Sequence, residues 1–299
     1  MKMQGRIEGF TLVELLFSMA LFSMAVVFFY STFVANTRMY RVENRVVELQ
    51  QSTRTATDEV NRNLYMAGSG VPQGAVPSDI GFLYAVSPGY GGPDWPDTVT
   101  FLRGYSEVQA FLSASMPDES AELKVEDASM FTPGDVVIIQ GGTQDCGESV
   151  ELFQITQISL DGQNMLQHNP SGPWNEDERL NCMYLPPSTI TKVEFIRYYV
   201  DSSDPEHPCL VRRLNEQSTE IIAMDIENLK VAYDLLSGER GVSDPTDPNL
   251  IRKVNFTMIG RTSEEDRRWS GGVHSLTGES DGYRRYRLLT HVFIRNIES

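Results

Sequence analysis

One stretch limits every fold open to this chain. From Phe10 to Ala35 it reads FTLVELLFSMALFSMAVVFFYSTFVA, and its single charge is Glu14. A helix needs about 20 apolar residues to cross the hydrocarbon core of a bilayer, so this run can span. Lys2 and Arg6 precede it, and an acidic remainder follows. That asymmetry predicts an N-terminus in the cytoplasm and the rest of the chain outside. An ordinary secretory signal fits less well. Its apolar stretch is roughly 7–15 residues and ends at a small-residue cleavage site; no A-x-A-like site closes this one. A plain signal anchor explains the length but not the carboxylate.

A charge within a membrane span costs roughly 2.5–3.5 kcal/mol on insertion scales, so it tends to have a partner and a task. The string Gly9-Phe10-Thr11-Leu12-Val13-Glu14 resembles the type IV prepilin processing motif. The resemblance implies that a membrane peptidase cuts after Gly9 on the cytoplasmic side, removing residues 1–9 as a leader. It also implies N-methylation of the new terminal residue, Phe10, by the same peptidase/methyltransferase. Glu14 then falls fifth in the mature chain, the family's glutamate position. By the resemblance it meets the terminal amine of a neighbouring subunit. Opposite charges at low dielectric offset each other's desolvation, and such a pair sets register more than it adds stability.

The helix is expected to continue past the membrane. No Gly or Pro occurs between Phe10 and Ala67. Met39, Val42, Val46, Leu49, Thr53, Ala56, Val60 and Leu64 recur at steps of three and four, one face of an amphipathic helix. Gly68, Ser69, Gly70 and Pro72 stop it. The domain reading is therefore leader 1–9, then a helix over 10–67, with an apolar half 10–35 and an amphipathic half 36–67. A body over 68–299 follows.

In that body, residues 68–97 read as loop. Strands are expected at Thr98–Leu102, Val108–Leu112, Leu123–Val125, Val136–Gln140 and Leu152–Ile158, then at Met165–Gln167 after a turn at Asp161-Gly162. Ile190–Val200, Cys209–Leu214, Ile221–Leu236, Leu250–Ile259 and Tyr283–Ile297 follow. One long helix and then many strands give an α+β class, with a pilin-like helix on an antiparallel β-rich domain. Two sub-sheets are expected, dividing near residue 188.

The stretches Asn63–Gly68, Phe131–Ile138 and Asp281–Asn296 resemble PilW-type minor pilins, which are related to the J-type pseudopilins of type II secretion. That resemblance implies a low-copy subunit that primes assembly or sits near the tip of a type IV pilus. The alternative is a minor pseudopilin of a type II secretion system. The implied partners are other pilins or pseudopilins, the prepilin peptidase and the inner-membrane assembly platform. The implied location is the inner membrane with a periplasmic body, and then the filament.

The formal net charge is −16. An acidic surface repels phosphate, so nucleic acid is not an expected partner. No G-x-S-x-G, H-E-x-x-H or P-loop string occurs, and His168, His207, His274 and His291 are scattered. Neither an enzyme activity nor a cofactor or metal is expected. His291 reads as a sheet-packing residue beside Leu289 and Phe293. The loops Asp201–Glu206 and Asp244–Asn249 lack EF-hand spacing and read as solvated turns. Arg284, Arg285 and Arg287 read as partners of the chain's own carboxylates. Trp95, Trp174 and Trp269 lie in loops and suit either a partner surface or the core. Of the cysteines, Cys146 and Cys182 lie in polar loops and are the preferred disulfide, leaving Cys209 as a thiol. Three unpaired core cysteines are the other reading.

Overall fold

A computed structural model describes residues 11–160, 164–175, 179–266 and 268–294. Helix α1 covers Leu12–Tyr65 and ends where Gly68 and Gly70 take positive φ. The strands in chain order are β1 Val86–Gly89, β2 Thr98–Phe111, β3 Leu123–Lys124, β4 Val136–Gly142 and β5 Glu148–Gln154. Next come β6 Gln157–Ser159, β7 Met165–Gln167, β8 Thr189–Asp201, β9 Cys209–Leu214 and β10 Ser218–Met224. Last are β11 Ile226–Leu235, β12 Ile251–Arg261, β13 Gly272–Val273, β14 Ser280–Asp281 and β15 Arg285–Phe293. The chain divides into two compact units, one ending at Glu48 and the other running from Leu49 to Ser299.

The larger unit is an antiparallel β body with the last turns of α1 packed into it, so the class is α+β. Its main sheet has the order β1-β2-β8-β4-β5, extended by β9 on β8 and β10 on β9. β8 organises it. Along one edge β8 pairs with β2. Along the other, Thr189–Val193 pairs with β4 and Ile196–Asp201 pairs with β9. The expected division near 188 is thus corrected: β8, which starts at Thr189, lies between strands that precede it. A strand buried on both faces reads as a continuous apolar run, and Phe101-Leu102 and Phe195-Ile196 are such pairs. Phe101 and Ile196 face the core built around α1, while Leu102 and Phe195 face a second core with Ile138, Leu152 and Trp174.

A second sheet, β11-β12-β15, closes the first core with Val231, Val254, Phe256 and Met258. From α1 come Ala56, Val60 and Leu64, each fully buried. Small residues let helix and strand approach closely. A Cβ added to Gly260 of β12 would lie 2.3 Å from Thr53 Oγ1 and 2.8 Å from Leu49 Cδ1, so only glycine fits there.

Several boundaries differ from the sequence reading. Thr98–Leu102 and Val108–Leu112 are one strand, interrupted by a bulge between Tyr105 and Gln109. Leu152–Ile158 is split between β5 and β6. Ile221–Leu236 breaks at Asp225, whose φ of 60° cannot continue a strand. β1 lies inside the stretch expected to be loop, because Val86–Gly89 finds a partner in Thr98–Phe101. The turn expected at Asp161-Gly162 lies outside the described residues.

Candidate functional site: the N-terminal helix

The start of α1 is a closed hydrogen-bond unit. The Thr11 amide donates to Glu14 Oε2 at 3.0 Å, and the Thr11 hydroxyl donates to the same oxygen at 2.9 Å. In return the Glu14 amide donates to Thr11 Oγ1 at 3.3 Å. This is a capping box, in which the first helical carboxylate and the N-cap hydroxyl satisfy each other's orphan donors. Thr11 was not singled out in the sequence reading. The T-x-x-E spacing that could have found it stands in the same string as Glu14. Gly9 and Phe10, the expected cut site and methylated residue, lie outside the described residues.

From Leu12 onward the helix is long and apolar enough to cross a membrane, and its most apolar window buries nothing against the protein. Phe22 and Phe29 are each 71% exposed. The serine and threonine hydroxyls of this stretch are satisfied internally. Ser18 donates to the Leu15 carbonyl at 2.9 Å, Ser23 to Ala20 at 2.8 Å, and Ser31 and Thr32 to Phe28 at 2.8 and 2.9 Å. Back-bonding of this kind removes the cost of placing hydroxyls in hydrocarbon. Glu14 remains the only formal charge in the described part of this stretch.

Further along, α1 is fixed to the main sheet by a polar network. Glu59 Oε1 accepts from Arg212 Nη1 at 2.9 Å and from Asn63 Nδ2 at 2.8 Å. Asn63 also donates to the Tyr198 hydroxyl at 2.9 Å and accepts from Arg103 Nη1 at 3.1 Å. Arg103 in turn pairs with Glu194. Burial, and then the nearby Glu59 carboxylate, push the Tyr198 phenol up. It therefore stays neutral and keeps its place in the network.

Elsewhere, Cys146 and Cys182 form a disulfide with Cα atoms 6.1 Å apart, and Cys209 is a buried thiol. Arg284 pairs with Asp266 at 3.0 Å, and Arg285 with Asp281 at 2.5 Å and Glu227 at 2.7 Å. Asp201 and Asp204 accept from the amides of Ser203 and Glu206 within their own turns. His291 does not pack into the sheet's core. It is exposed, with its ring edge against Phe293, on an outward face of β15 that also shows Leu289. Trp174 is a core residue donating to the Asn215 carbonyl, whereas Trp95 is 70% exposed.

Residues 5–30 match the family model for the prokaryotic N-terminal methylation motif. With the long apolar helix that begins inside this segment, the match makes the chain a type IV prepilin-like protein. No curated protein and no solved structure matches it. Such a chain is processed by a prepilin peptidase, anchored in a membrane by its helix and assembled with other pilins.

Proposed function

We propose that this protein is a minor pilin that primes assembly of a type IV pilus or occupies its tip. The peptidase cuts after Gly9 and methylates Phe10. The inner-membrane platform draws the helix from the bilayer, the body stays on the periplasmic side, and Glu14 pairs with the terminal amine of an adjoining subunit. The protein acts as a structural element, not as an enzyme, and does not engage nucleic acid.

The observation that carries the minor role is the size of the body that accompanies one helix, Leu49–Ser299. A compact unit of that length has a radius of gyration of about 18 Å by the usual scaling, whereas packed helices sit roughly 8–10 Å apart. Identical neighbours at every position of a close-packed bundle would compete for room. One copy at an end, or a few copies, would not. The resemblance of Asn63–Gly68, Phe131–Ile138 and Asp281–Asn296 to PilW-type subunits points the same way. It also keeps the J-type pseudopilin of type II secretion as the second reading.

Deleting the chain and counting surface filaments tests the reading, together with mass spectrometry of the N-terminal peptide from a peptidase-competent host. The expected result is a chain starting at N-methylated Phe10 and a loss of filaments. A chain starting at Met1, or cut after Ala20 or Ala25, refutes it. Loss of secreted proteins with filaments intact selects the pseudopilin.

A further inference from the structure

We propose that a cavity in the β body binds a neutral saccharide of one or two rings. The cavity has a volume of about 340 Å³ and is walled by three loops far apart in sequence, carrying Trp95, Pro208 and Leu276 among its apolar lining. Its size lies at the low end of the roughly 300–1,000 Å³ found for small-molecule pockets.

A buried charged group holds each wall in place. The loop bearing Trp95 is clamped by Lys230, whose Nζ donates to the carbonyls of Gly92 and Trp95, both at 2.6 Å. Asp97, 3% exposed, accepts from the Gly91 amide at 3.0 Å and the Val231 amide at 2.8 Å. The second loop is pinned by Arg261, 5% exposed, which donates to the carbonyls of Pro205 and Glu206 and stacks on Tyr283 at 4.2 Å. The third is pinned by Glu227, 3% exposed, which accepts from the Ser275 amide at 2.6 Å and is neutralised by Arg285. An exposed indole on a clamped loop is a surface held ready at little entropic cost.

The lining selects the ligand class. Glu227 is bonded to Arg285, which also holds Asp281, and Asp94 and Arg261 carry opposite charges on the lining. The buried Glu227 is thus already committed to Arg285 rather than left to hold a cation, and the −16 of the whole chain repels anions. A wholly apolar ligand would cover the Thr277 and Ser202 hydroxyls without giving them hydrogen bonds, which is costly. A sugar ring meets both demands. Its C–H face lies on the Trp95 indole and on proline rings, while its hydroxyls donate to and accept from the polar rim.

The test uses the full chain in lipid nanodiscs and saturation-transfer NMR with glucose, galactose, their N-acetylamino forms and disaccharides of these. At least one sugar is expected to bind, about tenfold more weakly to Trp95→Ala, the factor set by one lost ring-stacking contact. Trp95→Phe should retain most of the affinity, and Trp269→Ala, which lies outside the cavity lining, all of it. Absence of binding by the whole panel overturns the proposal, as does binding indifferent to Trp95→Ala. A proline-rich peptide that binds in place of every sugar, and is lost in Trp95→Ala, also overturns it and makes the cavity a peptide site.

Discussion

The two ends of α1 solve the burial problem in opposite ways. Between Leu12 and Ala35 the side chains are large, with Phe17, Phe22, Phe28 and Phe29 all at least two-thirds exposed. Between Leu49 and Leu64 the inward residues are mostly small, and Ala56, Val60 and Leu64 have no exposure at all. Both stretches are helical for the same local reason: neither contains Gly or Pro. They differ in what supplies the apolar environment. The second stretch finds it in this chain's own sheets. The first finds none among the described residues, so lipid or other helices must provide it. Side-chain size records the difference. Close helix–strand contact, as at Gly260, needs small groups, whereas hydrocarbon accepts large ones.

The sharpest way to break the comparison is to truncate one large side chain in each stretch. Leu64→Ala is expected to cost the body about 2–5 kcal/mol, as for other buried leucines. Phe22→Ala should leave the body's stability within about 0.5 kcal/mol. Urea unfolding of the nanodisc-bound protein, followed by near-ultraviolet circular dichroism, measures both. Equal losses would mean that the two stretches share one core.

Much of this contrast was legible in the sequence, since the stripe ending in Val60 and Leu64 is contiguous and periodic. Glu14 was legible for the same reason: its processing motif is one unbroken string. The limits of legibility are equally physical. Asp225 breaks a run of β-formers by its backbone angle, which no alternation pattern reveals. β1 became a strand only because Thr98–Phe101 offered it an edge. The saccharide cavity joins Trp95, Pro208, Arg261 and Leu276, which no spacing rule would group.

A smaller effect is expected in acid, and it should fall on the body alone. The hydrogen bond from Arg284 holds the Asp266 carboxyl below its ordinary value, and the bond from Arg285 does the same for Asp281. Groups depressed on folding contribute stability that is complete above the unfolded pKa of about 3.9 and is lost as pH falls through the folded value. The thermal midpoint of the body should therefore be steady from neutrality to about pH 5 and drop below about pH 4. The far-ultraviolet helical signal of the membrane stretch should outlast it. Arg284→Gln and Arg285→Gln should each flatten this acid limb. Loss of both signals together would show that the two regions melt as one.

The smallest expected effect separates the role that the structure shows for Glu14 from the one proposed for it. Its carboxylate closes the helix start through Thr11, and the prepilin reading also gives it a neighbour's ammonium. Thr11→Ala opens the cap and should cost about 1 kcal/mol of helix-start stability. Incorporation into filaments should change little, because the charge remains. Glu14→Gln keeps an N3 residue able to close the box but removes the charge. It should leave processing intact and, like Glu14→Ala, is expected to impair incorporation. Immunoblots of sheared filaments from cells carrying each variant give the ranking. If Thr11→Ala proves as damaging as Glu14→Ala while Glu14→Gln is tolerated, Glu14 serves the geometry of its own helix. The exposed stretch would then owe its assembly to apolar packing alone.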